Sequence, residues 1–123
     1  MNWIDNTLGI DGRMLLLRAK RAEVIAGNIA NADTPGFKAR DVNFATALGE
    51  AQAMKTTHKG HQGGPEMSAS VEYRSHGKVS ANGNNVEREF EQSAFARNSM
   101  DYLANLRFVD RATRGLIGAL RGE

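Results

Sequence analysis

Cysteine is absent from the 123 residues. That excludes disulfide staples and thiolate metal ligands, and it leaves the redox compartment open. Proline occurs twice, tryptophan once, and aromatic residues make up only 7% of the chain. So few breakers favour a helical protein, while so few large rings argue against a thick core. No apolar run approaches the 18 or so residues that cross a bilayer. The N-terminus also lacks a basic region leading into a continuous apolar stretch, because Asp5, Gly9, Asp11 and Gly12 interrupt it. A cleavable secretory signal is therefore not expected. Nor does charge of one sign dominate: 16 Lys and Arg against 14 Asp and Glu leave a net charge of +2. The isoelectric point of 9.2 reflects that small imbalance and is a weak argument for nucleic acid. No nucleophile–base pair is readable, and no glycine-rich phosphate cradle follows a strand, so catalysis is not expected either.

What is present centres on Asn28 to Phe37, which reads Asn-Ile-Ala-Asn-Ala-Asp-Thr-Pro-Gly-Phe. A long helical pattern precedes it. Pro35 lacks a backbone N–H and pushes Thr34 into an extended conformation, so the helix stops here. Pro35-Gly36 fits the central positions of a type II turn, in which Gly36 takes the positive φ. Asn31 is expected to supply a left-handed helix end, and Asp33 or Thr34 to hold the next amides. Asn is a mediocre helix former. Asn28 and Asn31, one turn apart, therefore suggest amides bonded to something beyond their own helix, either the returning chain or a neighbouring subunit.

Apolar residues from 4 to 30 follow a helical spacing. Leu8, Gly12, Leu15, Ala19, Ala22, Ala26 and Ile29 step by four and three into one seam, whose small residues admit a close partner helix. Leu16, Val24 and Ile25 flank it. Gly9 and Gly12 each cost about 1 kcal/mol relative to Ala, so the first dozen residues need support. After the turn, Asp41 is a plausible N-cap for a short helix reaching about Met54, with Phe44, Leu48 and Ala51 as its apolar face. Lys38, Arg40 and Asp41 form a polar cluster suited to surface contacts.

Composition changes at Lys55, and residues 55–83 read as a flexible segment rich in Gly, Ser, His and Asn. Val71 to Arg74 alternates and permits one short strand. His58, His61 and His76 all fall here. Without cysteine or a nearby acidic group they read as solvated loop residues, not metal ligands.

The clearest helix spans 84–121. Asn84 followed by Glu87 resembles a capping box, and Glu87, Glu89 and Glu91 suit the positive end of the dipole. Phe95, Ser99, Tyr102, Leu106, Val109, Thr113, Leu116 and Leu120 again step by four and three. A helix about 50 Å long in so small a chain must pair with the N-terminal helix. Phe90, Met100, Leu103, Phe108 and Ile117 lie off the seam, and apolar surface left over in this way points to partners.

The stretch Asn28-Ile29-Ala30-Asn31-Ala32-Asp33-Thr34-Pro35-Gly36-Phe37 resembles the signature of bacterial flagellar axial proteins, the rod, hook and hook-junction family. Its continuation through Arg40 and Asp41 to Phe44 is similar to the proximal rod members. Asn82-Gly83-Asn84-Asn85-Val86-Glu87 and Asp101-Tyr102-Leu103-Ala104 also suit that family. Phe37 stands where many members have Tyr. Distal members carry inserted β-rich domains for which this chain has no room. The resemblance implies a structural subunit stacked in a helical tube, with paired terminal helices. It implies export through the flagellar type III apparatus, and placement in the basal-body rod that spans the periplasm. Implied partners are other rod proteins, copies of itself, the rod–MS-ring junction protein and the MS ring, with no cofactor and no membrane insertion.

The expectation is thus an all-α single domain, 1–123: an N-terminal helix (1–31), a turn and short helix (32–54), a flexible segment (55–83) and a C-terminal helix (84–121). The long helices pair in coiled-coil fashion through Leu8, Leu15, Ala22 and Ile29 on one side and Phe95, Tyr102, Leu106, Val109, Leu116 and Leu120 on the other. The alternative is a small basic helical nucleic-acid binder, which the Arg-rich C-terminal helix favours. Glu87, Glu89, Glu91, Asp101 and Asp110 break up its positive field and count against it. Membrane-surface binding by two amphipathic helices is a third reading.

Overall fold

The computed structural model describes residues 2–49, 71–75 and 77–122. Two long helices dominate: α1, Asn2–Ala30, and α3, Arg88–Arg121. Between them lie a short strand β1, Arg40–Val42, a helix α2 that starts at 44 and is described through 49, and a strand β2, Val71–Tyr73. Strands β1 and β2 pair antiparallel, with Arg40 opposite Tyr73, Asp41 opposite Glu72 and Val42 opposite Val71. The single expected strand is therefore real, and its partner is the segment that follows the turn. The end expected at Met54, together with Ala51, His58, His61 and His76, lies outside the described residues.

Helices α1 and α3 run antiparallel. Asn28 reaches Glu91 near one end of the pair, and Arg18 reaches Asp101 and Asn105 further along. Helix α1 is covered on a second side by the β1–α2 layer. There Leu17, Val24, Val42 and Ala47 form an apolar cluster, against which Phe44, Leu48 and Val71 pack. Phe44 and Leu48 thus hold the places expected of them.

Four local expectations are corrected. Asn43, not Asp41, caps α2: its Oδ1 accepts the Thr46 N–H at 3.2 Å, leaving Asp41 free to take part in the strand. No capping box starts α3. Its N-cap is Glu87, which makes no side-chain cap bond, while the Asn84 side chain turns back towards α1. Asn31 is not left-handed, since among the described residues only glycines have positive φ. It closes the helix end through its side chain, with Nδ2 donating to the Gly27 carbonyl at 2.8 Å. Lys38 and Arg40 are exposed as expected. Asp41 instead lies half-buried between two arginines.

The fifth correction concerns the seams. The buried face of α1 is Leu17, Val24, Ile25 and Asn28, rotated away from the stripe read in the sequence. Ala19 and Ala26 are exposed, while Leu8, Leu15, Ala22 and Ile29 are half-buried. On α3, Tyr102, Val109 and Leu116 are half-buried, but Phe95, Leu106 and Leu120 are exposed, Leu120 by 84%. The side of α3 that meets α1 carries Glu91, Asn98 and Asn105, three polar residues seven apart. That spacing keeps them on one helical stripe. These polar residues carry hydrogen bonds between α1 and α3, which an apolar criterion passes over. Phe90, Met100, Leu103, Phe108 and Ile117 are exposed, as expected.

Candidate assembly junction

The turn after α1 and the lead-in to α3 are stitched together, and Asn84 is the centre of the stitching. It is 1% exposed. Its Nδ2 lies 2.9, 2.9 and 2.8 Å from the carbonyl oxygens of Asn31, Ala32 and Thr34. Carbonyls at a helix C-terminus have no partner within the helix. One amide from a segment some fifty residues away supplies it. The Asn84 Oδ1 in turn accepts the Val86 N–H at 2.7 Å, which sets the direction in which the chain enters α3.

Thr34 to Phe37 forms the turn itself. The Phe37 N–H reaches the Thr34 carbonyl at 3.2 Å, and Gly36 has φ +74, as a type II turn requires. The Gly36 N–H then points outward to the Asn82 carbonyl at 2.9 Å, and the Asn85 N–H bonds the Phe37 carbonyl at 3.3 Å. Gly83, also at positive φ (+81), lies against Gly36: a Cβ on Gly83 would stand 3.5 Å from the Gly36 Cα. Asn85 Oδ1 accepts the Ala39 N–H at 2.6 Å, and Lys38 Nζ reaches the Gly83 carbonyl at 2.7 Å. At the rim Thr34 Oγ1 donates to Asn31 Oδ1, and Asp33 meets Arg88 on the surface.

Asn28 begins a second layer of the junction. Its amide pairs with the returning strand like a short ladder rung, with Nδ2 donating to the Arg40 carbonyl at 2.7 Å and Oδ1 accepting the Arg40 N–H at 3.1 Å. The same Nδ2 lies 3.2 Å from Glu91 Oε2. Arg74 bonds the other oxygen of Glu91, and also Asp41 Oδ2 at 2.9 Å. Arg21 grips Asp41 with two bonds, at 2.9 and 3.2 Å. A chain of polar contacts thereby joins α1, β1, the end of β2 and α3. Burial raises the Asp41 pKa, but hydrogen bonds from Arg21, Arg74 and the Val42 N–H outweigh it and hold the carboxyl below its usual range. Arg74 is shifted upward: burial opposes its charge, and the hydrogen bonds to Asp41 and Glu91 more than compensate.

Ten residues from 28 to 41 were singled out in the sequence. The structure brings Asn28, Asn31, Asp33, Thr34, Gly36, Phe37, Arg40 and Asp41 into these contacts through side chain or backbone. Pro35 is exposed in the turn, and Ile29 is half-buried on α1. Sequence reasoning missed Arg21, Arg74, Glu91 and Asn98. Asn98 is also buried, and its Nδ2 donates to the Arg18 carbonyl at 2.8 Å. The readable signal was the polar spacing Glu91–Asn98–Asn105.

On one side of the helix pair lies an open groove of about 460 Å³. Ala19 and Ala22 form its α1 wall, and Ser99, Tyr102 and Leu103 its α3 wall. Four of these five belong to the two stripes read in the sequence. Those stripes therefore flank a common groove in place of packing directly together. Among the described residues no helix is long and apolar enough to cross a membrane. No group of three His, Asp or Glu residues among them could hold a metal ion.

A family profile described as "Flagella basal body rod protein" matches residues 15–38, the end of α1 and the turn. The chain is 43% identical over 126 residues to the flagellar basal body rod protein FlgB of Aeromonas hydrophila, covering 97% of this chain and 96% of that one. It is 37% identical to FlgB of Cereibacter sphaeroides over 128 residues, with both chains covered in full. FlgB of Escherichia coli K12 is 34% identical over 131 residues, covering 96% of this chain and 95% of that one. Likeness at that level from end to end, on a mostly helical fold closed at its signature turn, makes this chain a member of the FlgB family of flagellar basal body rod proteins, a structural rod subunit.

Proposed function

We propose that this subunit builds the proximal part of the rod by packing its terminal helices against neighbouring subunits, copies of itself and other rod proteins. It acts as one domain over 1–123, without catalysis, cofactor or nucleic acid. The observation that carries this reading is the apolar groove whose walls include Ala22 and Tyr102. It runs beside the exposed Phe95 and Leu106, and no part of the described chain fills it. Leu8, Leu15 and Ile29 on α1, and Val109, Leu116 and Leu120 on α3, extend the surface. A contact of this kind is heterologous and repeats into an open helical array. Further partners are the rod–MS-ring junction protein and the MS ring, and the site of action is the periplasm-spanning rod, reached through the flagellar type III apparatus. The signature residues Asn28 to Phe37 with Arg40 and Asp41 act by holding the two helices at a fixed angle, so that the groove keeps one shape.

The test uses the absence of native cysteine. Ala19→Cys and Leu103→Cys subunits are incorporated into basal bodies and treated with a maleimide reagent, beside an Ala45→Cys control at an exposed position of α2. The groove positions are expected to be blocked in intact basal bodies and to react in the free subunit. Equal labelling of Leu103→Cys in both would overturn the reading.

A further inference from the structure

Asn82-Gly83 is the one Asn-Gly pair in the sequence, and it sits inside the junction. We propose that it is a spontaneous modification site of the open chain, and that closure of the junction shields it. The chemistry needs only water. The Gly83 nitrogen, once it has lost its proton, attacks the Asn82 Cγ. A Gly83 N–Cγ bond forms, the Cγ–Nδ2 bond breaks, and ammonia leaves with the proton. Water then opens the five-membered imide at either carbonyl, leaving aspartate or isoaspartate at 82. Gly at the second position makes the attacking nitrogen the least hindered of those that follow an asparagine.

In the closed junction every group that this step requires is engaged. The Gly83 N–H donates to the Ser80 carbonyl at 2.9 Å, and the Asn82 carbonyl accepts the Gly36 N–H at 2.9 Å. The Asn82 side-chain oxygen accepts the Asn84 N–H at 3.1 Å. Cγ cannot swing over the Gly83 nitrogen while all three bonds hold. If each is worth about a factor of five, the need to break all three makes attack in the closed chain slower by on the order of a hundredfold. Asn82 is itself exposed, so the shielding comes from these bonds and not from burial.

The isoaspartyl product matters because it reroutes the main chain through the Asn82 Cβ and Cγ, lengthening it by one carbon. The former Asn82 carbonyl, the acceptor for Gly36, becomes a free carboxylate off the chain. Asn84, two residues on, must reach three carbonyls within 2.9 Å, and an inserted carbon breaks that register. A chain that has become isoaspartyl before closure is thereby prevented from closing, whereas a closed chain keeps its asparagine. The junction acts as a timer on chains that have not yet closed it.

The full chain is incubated at mildly alkaline pH in buffer and in urea, and isoaspartate at 82 is measured by peptide mapping. The expected result is modification in urea about a hundredfold faster than in buffer. Asn84→Ala, which opens the junction from its other partner, should raise the rate in buffer towards that in urea. Gly83→Ala should slow the reaction in urea, where no fold is at stake. Equal rates for the parent chain in buffer and urea would overturn the shielding. Faster modification in urea at another asparagine would overturn the site. An unchanged buffer rate for Asn84→Ala would show that the junction bonds are not what protects it.

Discussion

Asn28 and Glu91 meet 3.2 Å apart, one from the last turns of α1 and one from the first turn of α3, both out of reach of solvent. A buried carboxylate is tolerated only when it is paired and hydrogen-bonded. Arg74 supplies the charge and Asn28 a second donor. The ends of the two helices are thus joined by polar contacts whose geometry admits few alternatives, beside a small apolar cluster that gives bulk. Buried polar groups of this kind contribute more to a single arrangement than to net stability. For a subunit that must present the same groove to each neighbour, that is the useful property.

Glu91→Ala should therefore be among the most damaging single changes. It leaves the largely buried Arg74 guanidinium held by Asp41 alone and removes a partner of Asn28, at a cost of about 1–3 kcal/mol. Glu91→Gln keeps the size and one acceptor and should lose less. Urea titrations of both variants, with circular dichroism as the readout, give the order directly; equal stability of Glu91→Ala and the parent chain would contradict it.

The pH response follows from Asp41. Its carboxyl is held below the usual range by Arg21 and Arg74. A depressed carboxylate contributes stability that is full above the unfolded pKa of about 3.9 and is lost as pH falls through the lower folded value. Stability should accordingly decline below about pH 4. In Asp41→Asn that decline should flatten, while stability near neutrality drops. Arg74, shifted upward, contributes at all pH values below its unfolded pKa and adds no slope in this window. An acid limb of the urea midpoint that is the same in Asp41→Asn would assign the response to other carboxylates.

How much of this was legible beforehand divides along physical lines. Pro35-Gly36 has few conformations open to it, so the turn could be read directly. Long helices declare themselves by period, and the exposure of Phe108 and Ile117 followed from their offset from the stripe. The partner of each helix face was not legible. Leu17 and Val24 pack on β1 and α2, elements too short to carry a pattern of their own. The α1–α3 contact runs through Glu91, Asn98 and Asn105, which an apolar criterion passes over. Asn84 was read as a local cap because its true acceptors, at 31, 32 and 34, are distant in sequence.

Asn84 offers a comparison that separates lost bonding from added repulsion. Asn84→Ala takes the shared side-chain donor from the carbonyls of Asn31, Ala32 and Thr34, of which the first and last keep backbone donors at Thr34 and Phe37, and should cost about 1–3 kcal/mol. Asn84→Asp is nearly the same shape but sets a carboxylate oxygen against three carbonyl oxygens, and it should destabilise more than the alanine. Thermal unfolding of the two variants side by side decides it. If Asn84→Asp were the milder change, the amide nitrogen would not be facing those carbonyls.

At Gly36 the limit is backbone conformation and not space, since a Cβ there would meet nothing within 4 Å. Gly36→Val should cost about 1–3 kcal/mol through the positive φ alone. Gly36→Asn, which tolerates that region better, should cost less. Loss of rod incorporation should follow the same order, scored by motility in cells lacking the parent protein. Equal behaviour of Val and Asn would place the defect in side-chain contact and not in the turn.

The last comparison separates folding from assembly. Val24 lies in the apolar cluster with Leu17 and Val42, so Val24→Asp buries an unpaired charge and should unfold α1 from its layer, with helicity falling in the isolated subunit. Leu106 lies on the exposed stripe of α3, where water already meets the side chain. Leu106→Asp should shift the urea midpoint by less than about 0.5 kcal/mol equivalent, yet stop rods from forming, because the charge is desolvated only when a neighbour covers it. The two variants thus predict opposite patterns: one loses helicity and assembly together, the other assembly alone. Circular dichroism of the purified subunits, beside electron microscopy of basal bodies from cells carrying only the variant, reads both. Normal rods from Leu106→Asp would mean that this stripe faces solvent in the tube, and would move the neighbour's contact to the far side of the helix, where Met100 and Phe108 are exposed.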